Sequence, residues 1–143
     1  MAHCWALLPY LGGYKMKISG SCLCGEVEFE ADHQGAEVVV CHCGQCRKQS
    51  GHLWSATAVP NVSLKLSKET TLAWYAASNF AKRGFCSACG TSLFWRENDG
   101  ENTHVGLGVL NAPTNLKLQK HIFMAHKGDY YEVADDLPKV DDY

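Results

Sequence analysis

Hydrophobic and polar residues alternate one by one along most of this chain, the period of strands with one buried face. Val27, Phe29 and Ala31 interleave with Glu26, Glu28, Glu30 and Asp32, and Val62, Leu64 and Leu66 with Ser63, Lys65 and Ser67. Val105, Leu107 and Val109 alternate with glycines, a sign of close backbone packing. A strand opens at Met16 and runs through Lys17 to Ser21, and Val38 to Val40 form a short buried-type run leading into Cys41. Thr71 to Ala76, Phe80 to Phe85, Leu93 to Trp95, His121 to Met124 and Tyr130 to Val133 complete the predicted strands. Helix is scarce: Gly44 to Ser50 is predicted to form a turn or two, and Ala112-Pro113-Thr114 to open another short one. The pattern predicts a mainly β fold with few short helices.

Residues 1–15 carry no such periodicity and read as an N-terminal extension, with Met16 the expected native start. One domain is expected over 16–138, followed by a loose acidic tail at 139–143. The length of 143 residues fits a single core, and 46% hydrophobic against 20% charged residues excludes bulk disorder. A net charge of −2 argues against nucleic-acid binding, and no apolar run reaches the roughly 20 residues of a membrane helix.

Cysteine changes the picture. Seven of the eight fall into tight groups, Cys22/Cys24, Cys41/Cys43/Cys46 and Cys86/Cys89. Disulfide frameworks spread their cysteines, because a bridge gains most by closing a long loop; C-x-C and C-x-x-C spacings suit a metal. A reducing, cytoplasmic setting is the corresponding expectation. A closed zinc site takes four ligands, so seven cysteines divide naturally into four and three. Cys22, Cys24, Cys86 and Cys89 can clamp one ion. Cys41, Cys43 and Cys46 cover three corners of a second, and an open corner is the mark of a catalytic site. Other outcomes stay open at this point: His42 as a ligand, a histidine or Cys4 closing the second site, or an oxidised triad without metal. The step Cys-Gly recurs at Gly25, Gly44 and Gly90, where glycine lets the backbone turn its N–H groups toward sulfur.

Three strings then combine. They are Gly20-Ser21-Cys22-Leu23-Cys24-Gly25, Cys41-His42-Cys43-Gly44-Gln45-Cys46-Arg47-Lys48-Gln49-Ser50-Gly51 and Arg83-Gly84-Phe85-Cys86-Ser87-Ala88-Cys89-Gly90-Thr91-Ser92-Leu93. In this order, with His121-Ile122-Phe123 and Leu137-Pro138 near the end, the chain resembles the glutathione-dependent formaldehyde-activating enzymes, a family that includes centromere protein V. The resemblance spans Lys17 to Pro138. It implies a β-tent of small antiparallel sheets pinned by zinc. It also implies a structural zinc on Cys22, Cys24, Cys86 and Cys89, and a second zinc on Cys41, Cys43 and Cys46 where glutathione acts. The implied activity is that of a carbon–sulfur lyase joining glutathione and formaldehyde as S-(hydroxymethyl)glutathione.

A glutathione site wants a cation, and Arg47 and Lys48 follow the triad; His42 and Gln45 are placed to temper the charge of the thiolates. Arg47 and His42 are the expected substrate-binding residues, and Ser50, His52, Trp54 and Thr91 are further candidates for a pocket wall. Trp74, Phe94 and Trp95 read as core. The competing expectation is a zinc-stapled domain that binds a protein or nucleic acid without turnover, or a redox-sensitive zinc site.

Overall fold

The computed structural model describes residues 15–143, so the predicted extension lies, Lys15 apart, outside the described residues. The strands are β1 (Met16–Ser21), β2 (Glu28–His33), β3 (Val39–Cys41), β4 (Trp54–Pro60), β5 (Lys65–Lys68), β6 (Leu72–Tyr75), β7 (Ala81–Cys86), β8 (Ser92–Glu97), β9 (Asn102–Gly106) and β10 (Lys120–Ile122). One helix, α1, covers Gly44–Ser50 as predicted. The fold is mainly β and built of two sheets, one of three strands in the order β1-β2-β5 and one of seven in the order β10-β3-β4-β9-β8-β7-β6. The pairs are antiparallel except β10 with β3, which is parallel, a departure from the all-antiparallel expectation.

Strand β4 is absent from the periodicity. It lies in the middle of the large sheet between β3 and β9, and most of its residues are buried on either face. Burial on both sides removes the polar half of the alternation that marks a strand. Three predicted runs shrink for local reasons. Val62 sits 94% exposed in a tight turn before β5. Leu107–Val109 form a single 3-10 turn after β9. Phe123 takes a left-handed backbone, φ 56°, that ends β10. Tyr130 to Val133 form no strand, and Ala112-Pro113-Thr114 open no helix.

The large sheet separates two apolar clusters. On one face Phe94, Val105 and Val59 meet Ile18, Phe29 and Ala31 of the small sheet, with Phe29 edge-on to Phe94 at 5.1 Å between centroids. Trp54, Ala56, Ala81 and Trp95 pack on Val39, Ile122, Cys41 and Cys46. The alternation along β8 explains the division: Phe94 turns to the small sheet, and its neighbour Trp95 to the triad. The tail is better held than expected. Val140 N–H donates to the His121 carbonyl (3.0 Å), Met124 N–H donates to the Val140 carbonyl (2.9 Å), and the Tyr143 hydroxyl donates to Glu37 (2.7 Å).

Candidate functional site

The seven clustered cysteines meet in space as two groups. The sulfurs of Cys22, Cys24, Cys86 and Cys89 lie within 4.8 Å of one another, and so do those of Cys41, Cys43 and Cys46. Each group could hold a metal ion, and none of the seven is in a disulfide. Cys4 lies outside the described residues.

Two matching turns build the four-sulfur group. Cys22 N–H donates to the Val27 carbonyl, and Gly25, at φ 79°, returns its N–H to the Cys22 carbonyl. Cys86 N–H donates to the Thr91 carbonyl, and Gly90, at φ 78°, returns its N–H to the Cys86 carbonyl. Both glycines occupy the left-handed region, where a side chain is strained. Gly44 breaks the expected triple recurrence: it is the first residue of α1 and needs no such backbone. The Cys22–Cys24 and Cys24–Cys86 sulfur separations are 3.6 and 3.7 Å. These are far beyond a disulfide and close to the edge, about 3.8 Å, of a tetrahedron with zinc–sulfur bonds of about 2.3 Å. The Thr91 hydroxyl lies 3.1 Å from Cys89 Sγ and the Thr71 hydroxyl 3.2 Å from Cys86 Sγ. Those hydroxyls favour thiolate, holding Cys89 down to about 5 and lowering Cys86 as well. Thr91 therefore serves this group, and with Ser50 and Trp54, as expected, it also lines a cavity of about 350 Å³.

The three-sulfur group is assembled differently. Cys41 ends β3, Cys43 caps α1 by accepting the Cys46 N–H (3.4 Å), and Cys46 lies in the helix. Hydrogen bonds from Cys41, then Cys46, hold Cys43 far below the ordinary thiol range, while the same contacts push Cys41 up. Arg83, on β7, is buried behind them at 3% exposure. Its Nη2 donates to Cys46 Sγ (3.2 Å) and its Nε to Gln45 Oε1 (2.8 Å). Among the described residues no carboxylate pairs with this guanidinium. A buried cation without a counter-charge is costly, so its environment calls for anionic sulfur. Three thiolates around a divalent zinc carry one net negative charge, which a single guanidinium balances. The donor set fits zinc on this count too.

The triad opens on a pocket of about 170 Å³ with mostly apolar walls, lined among others by Trp54, Ala56, Phe80, Trp95 and Phe123 besides Arg83 and Gln45. Trp54 is there as expected. Trp95, read as core, has its ring on this wall, because β8 alternates its side chains across a sheet with a cluster on each face.

The expected substrate-binding pair lies elsewhere. Arg47 donates from Nε to the His42 carbonyl and from Nη2 to the His126 carbonyl, both at 3.3 Å, and does not line the pocket. His42 is fully buried on the far side of the triad. Its Nδ1 lies 2.7 Å from the Tyr131 hydroxyl and its Nε2 2.9 Å from His121 Nδ1, and His121 donates from Nε2 to the Asp135 carboxylate at 2.8 Å. Burial lowers His42 to about 4, so its ring is neutral. Ser50 bonds the carbonyls of Cys46 and Leu53, and His52 the hydroxyl of Tyr130. Sequence reasoning overlooked Arg83, Tyr131 and Asp135. Arg83 carried a signal, as an arginine at an inward position of β7, three residues before Cys86. The other two follow the last strand and carried none.

The profile of the glutathione-dependent formaldehyde-activating enzymes matches residues 17–126. The chain belongs to that family. It is 29% identical over 119 residues to an uncharacterized lyase of Schizosaccharomyces pombe, covering 80% of this chain and 84% of the yeast protein. A crystal structure of a Rhodobacter sphaeroides protein is 27% identical and superposes with a TM-score of 0.54, covering 68% of this chain and 89% of that one.

Proposed function

We propose that this protein is a zinc-dependent carbon–sulfur lyase. Its substrate is the adduct of an aldehyde with a small thiol, glutathione or a relative, as in S-(hydroxymethyl)glutathione synthesis. One observation carries the reading: three clustered cysteines, with no fourth cysteine beside them among the described residues, face an apolar pocket, whereas the other four make up a complete four-sulfur set. The family and the lyase-named yeast relative support the same class of activity.

Cys22, Cys24, Cys86 and Cys89 hold a structural zinc in this reading, and Cys41, Cys43 and Cys46 a second. Zinc at the second site supplies a Lewis acid that keeps an incoming thiol ionised at neutral pH. The residues of the chain do the rest. Arg83 offsets thiolate charge through Cys46. Trp54, Trp95 and Phe123 keep water from the sulfurs, which strengthens electrostatic interactions there. His42, locked by Tyr131 and His121, fixes the loop between Cys41 and Cys43.

The test is zinc per chain, on protein prepared with reductant and without chelator, followed by NMR exchange between glutathione and its formaldehyde adduct. Two zinc ions per chain and accelerated exchange, lost in Cys46→Ser, are expected. Exchange at the uncatalysed rate with both ions bound would leave a zinc-stapled binding domain.

A further inference from the structure

His42 stands between two of the three triad cysteines, and every hydrogen-bonding group it has is engaged. Its N–H donates to the Ile122 carbonyl (3.1 Å), and its carbonyl accepts from Arg47 Nε (3.3 Å). Its ring nitrogens meet the Tyr131 hydroxyl (2.7 Å) and His121 Nδ1 (2.9 Å). None of these four bonds involves a sulfur, so none waits for a metal. Both imidazoles are buried, which makes a lost partner costly and the arrangement specific.

The row through the two rings also has a direction. A carboxylate only accepts, so His121 carries a proton on Nε2, toward Asp135 (2.8 Å). Asp135 is itself pinned by the Leu137 N–H (3.0 Å). With one proton on each ring, His121 Nδ1 is bare and accepts, which puts the proton of His42 on Nε2 as well. His42 Nδ1 is then bare in turn and accepts from the Tyr131 hydroxyl, whose oxygen accepts from the Gly128 N–H (3.4 Å). The carboxylate at one end thus sets the tautomer of a ring it does not touch.

On the reading that the triad binds zinc, we propose that Tyr131 and Asp135 are positioning residues of that site. They lock His42 and His121 in the Nε2-protonated form and so hold the loop from Cys41 to Cys43 in its metal-binding shape before an ion arrives. A preformed loop loses little freedom when it takes up a ligand. The second zinc can therefore leave and return while its loop keeps its shape.

The test reads tautomers and zinc separately. Imidazole nitrogen NMR of the zinc-loaded protein at neutral pH is expected to show His42 and His121 protonated on Nε2 alone. The same pattern is expected after a mild chelator has emptied the triad. A His42 proton on Nδ1, a doubly protonated His121, or signals that change when the triad is emptied overturn the assignment. Asp135→Ala removes what sets the direction, so both tautomers of His42 should be populated, and Asp135→Glu, which keeps the carboxylate, should restore the single form. A single form that survives Asp135→Ala overturns the role of the carboxylate.

Chelator competition then compares the two zinc ions within one molecule. Tyr131→Phe should weaken the triad zinc about tenfold and leave the four-sulfur zinc as it is. Equal weakening at both sites is what a merely structural tyrosine gives, and it overturns the assignment, as does no weakening at all. Should Tyr131→Phe not fold, Asp135→Ala, at a half-exposed position, takes its place with the same expectation. A parent that binds one zinc per chain, with the expected tautomers, sinks the lyase reading and keeps both residues as holders of the loop. Two zinc ions and accelerated adduct exchange with the other tautomers do the opposite.

Discussion

The two cysteine groups use the same atom for opposite ends. The four-sulfur group joins two turns far apart in sequence, Cys22–Gly25 and Cys86–Gly90, and threonine hydroxyls meet two of its sulfurs, Cys86 and Cys89. The three-sulfur group draws on one short stretch, Cys41 to Cys46, and an apolar pocket lies where a fourth ligand would come from. Linking distant segments restrains the unfolded chain strongly, whereas ligands five residues apart restrain it little. The first arrangement is suited to holding the fold and the second to reacting.

The most damaging test of this contrast is Cys86→Ser. Metal binding at a structural zinc site is worth about 10 kcal/mol or more in small peptides, comparable to the whole stability of a domain. Loss of the cooperative melt by circular dichroism is the expected result. A variant that melts like the parent would refute the division of labour.

Acid should act next, on the triad side of the large sheet. His104, edge-on to Trp95, is held down to about 4 by burial. Below pH 6.5 the unfolded chain binds a proton the folded one refuses, so stability falls as pH drops from 6.5 toward 4 and is level above. The share of His104 is about 3 kcal/mol at pH 4. His33 and His42 shift in the same sense. Denaturant midpoints of the parent and His104→Gln, compared at pH 7 and 4.5, isolate that share, and parallel losses in both would show that His104 does not contribute.

Cys46→Ser should cost only about 1–2 kcal/mol while removing one zinc per chain, read by metal analysis beside a thermal melt. Unfolding of this variant would make the triad a second staple. The smallest effect is expected from Thr91→Val, about 1 kcal/mol with roughly tenfold weaker binding at the four-sulfur site. Competition with a chelator measures it, and a loss of zinc from the triad alone would place the hydroxyl's influence in the wrong group.

The sequence was legible where polar and apolar residues alternate, as in β2, and where short apolar or aromatic runs stand out, as in β6, β7 and β8. Strand β4 was hidden by burial on both sides, and the run from Tyr130 to Val133 misled because its tyrosines pack on His52 and His42 instead of pairing in a sheet. The cysteine grouping was readable because ligands come in fixed numbers and short spacings. The pocket was not. Arg83, Trp95 and Phe123 come from separate strands and a turn, and only the register of the large sheet and the parallel pairing of β10 with β3 bring them together.

The row Tyr131–His42–His121–Asp135 bears on where this domain can be cut. All seven clustered cysteines and the whole family match end by residue 126, yet the hydroxyl and the carboxylate at the two ends of that row come after it. A fragment trimmed to the match would keep all seven clustered cysteines and leave the hydrogen-bonded imidazoles of His42 and His121 without their outer partners. The closing segment is thus the mortar of the triad loop, and a truncation series through 126–143 should loosen that loop before it disturbs either sheet.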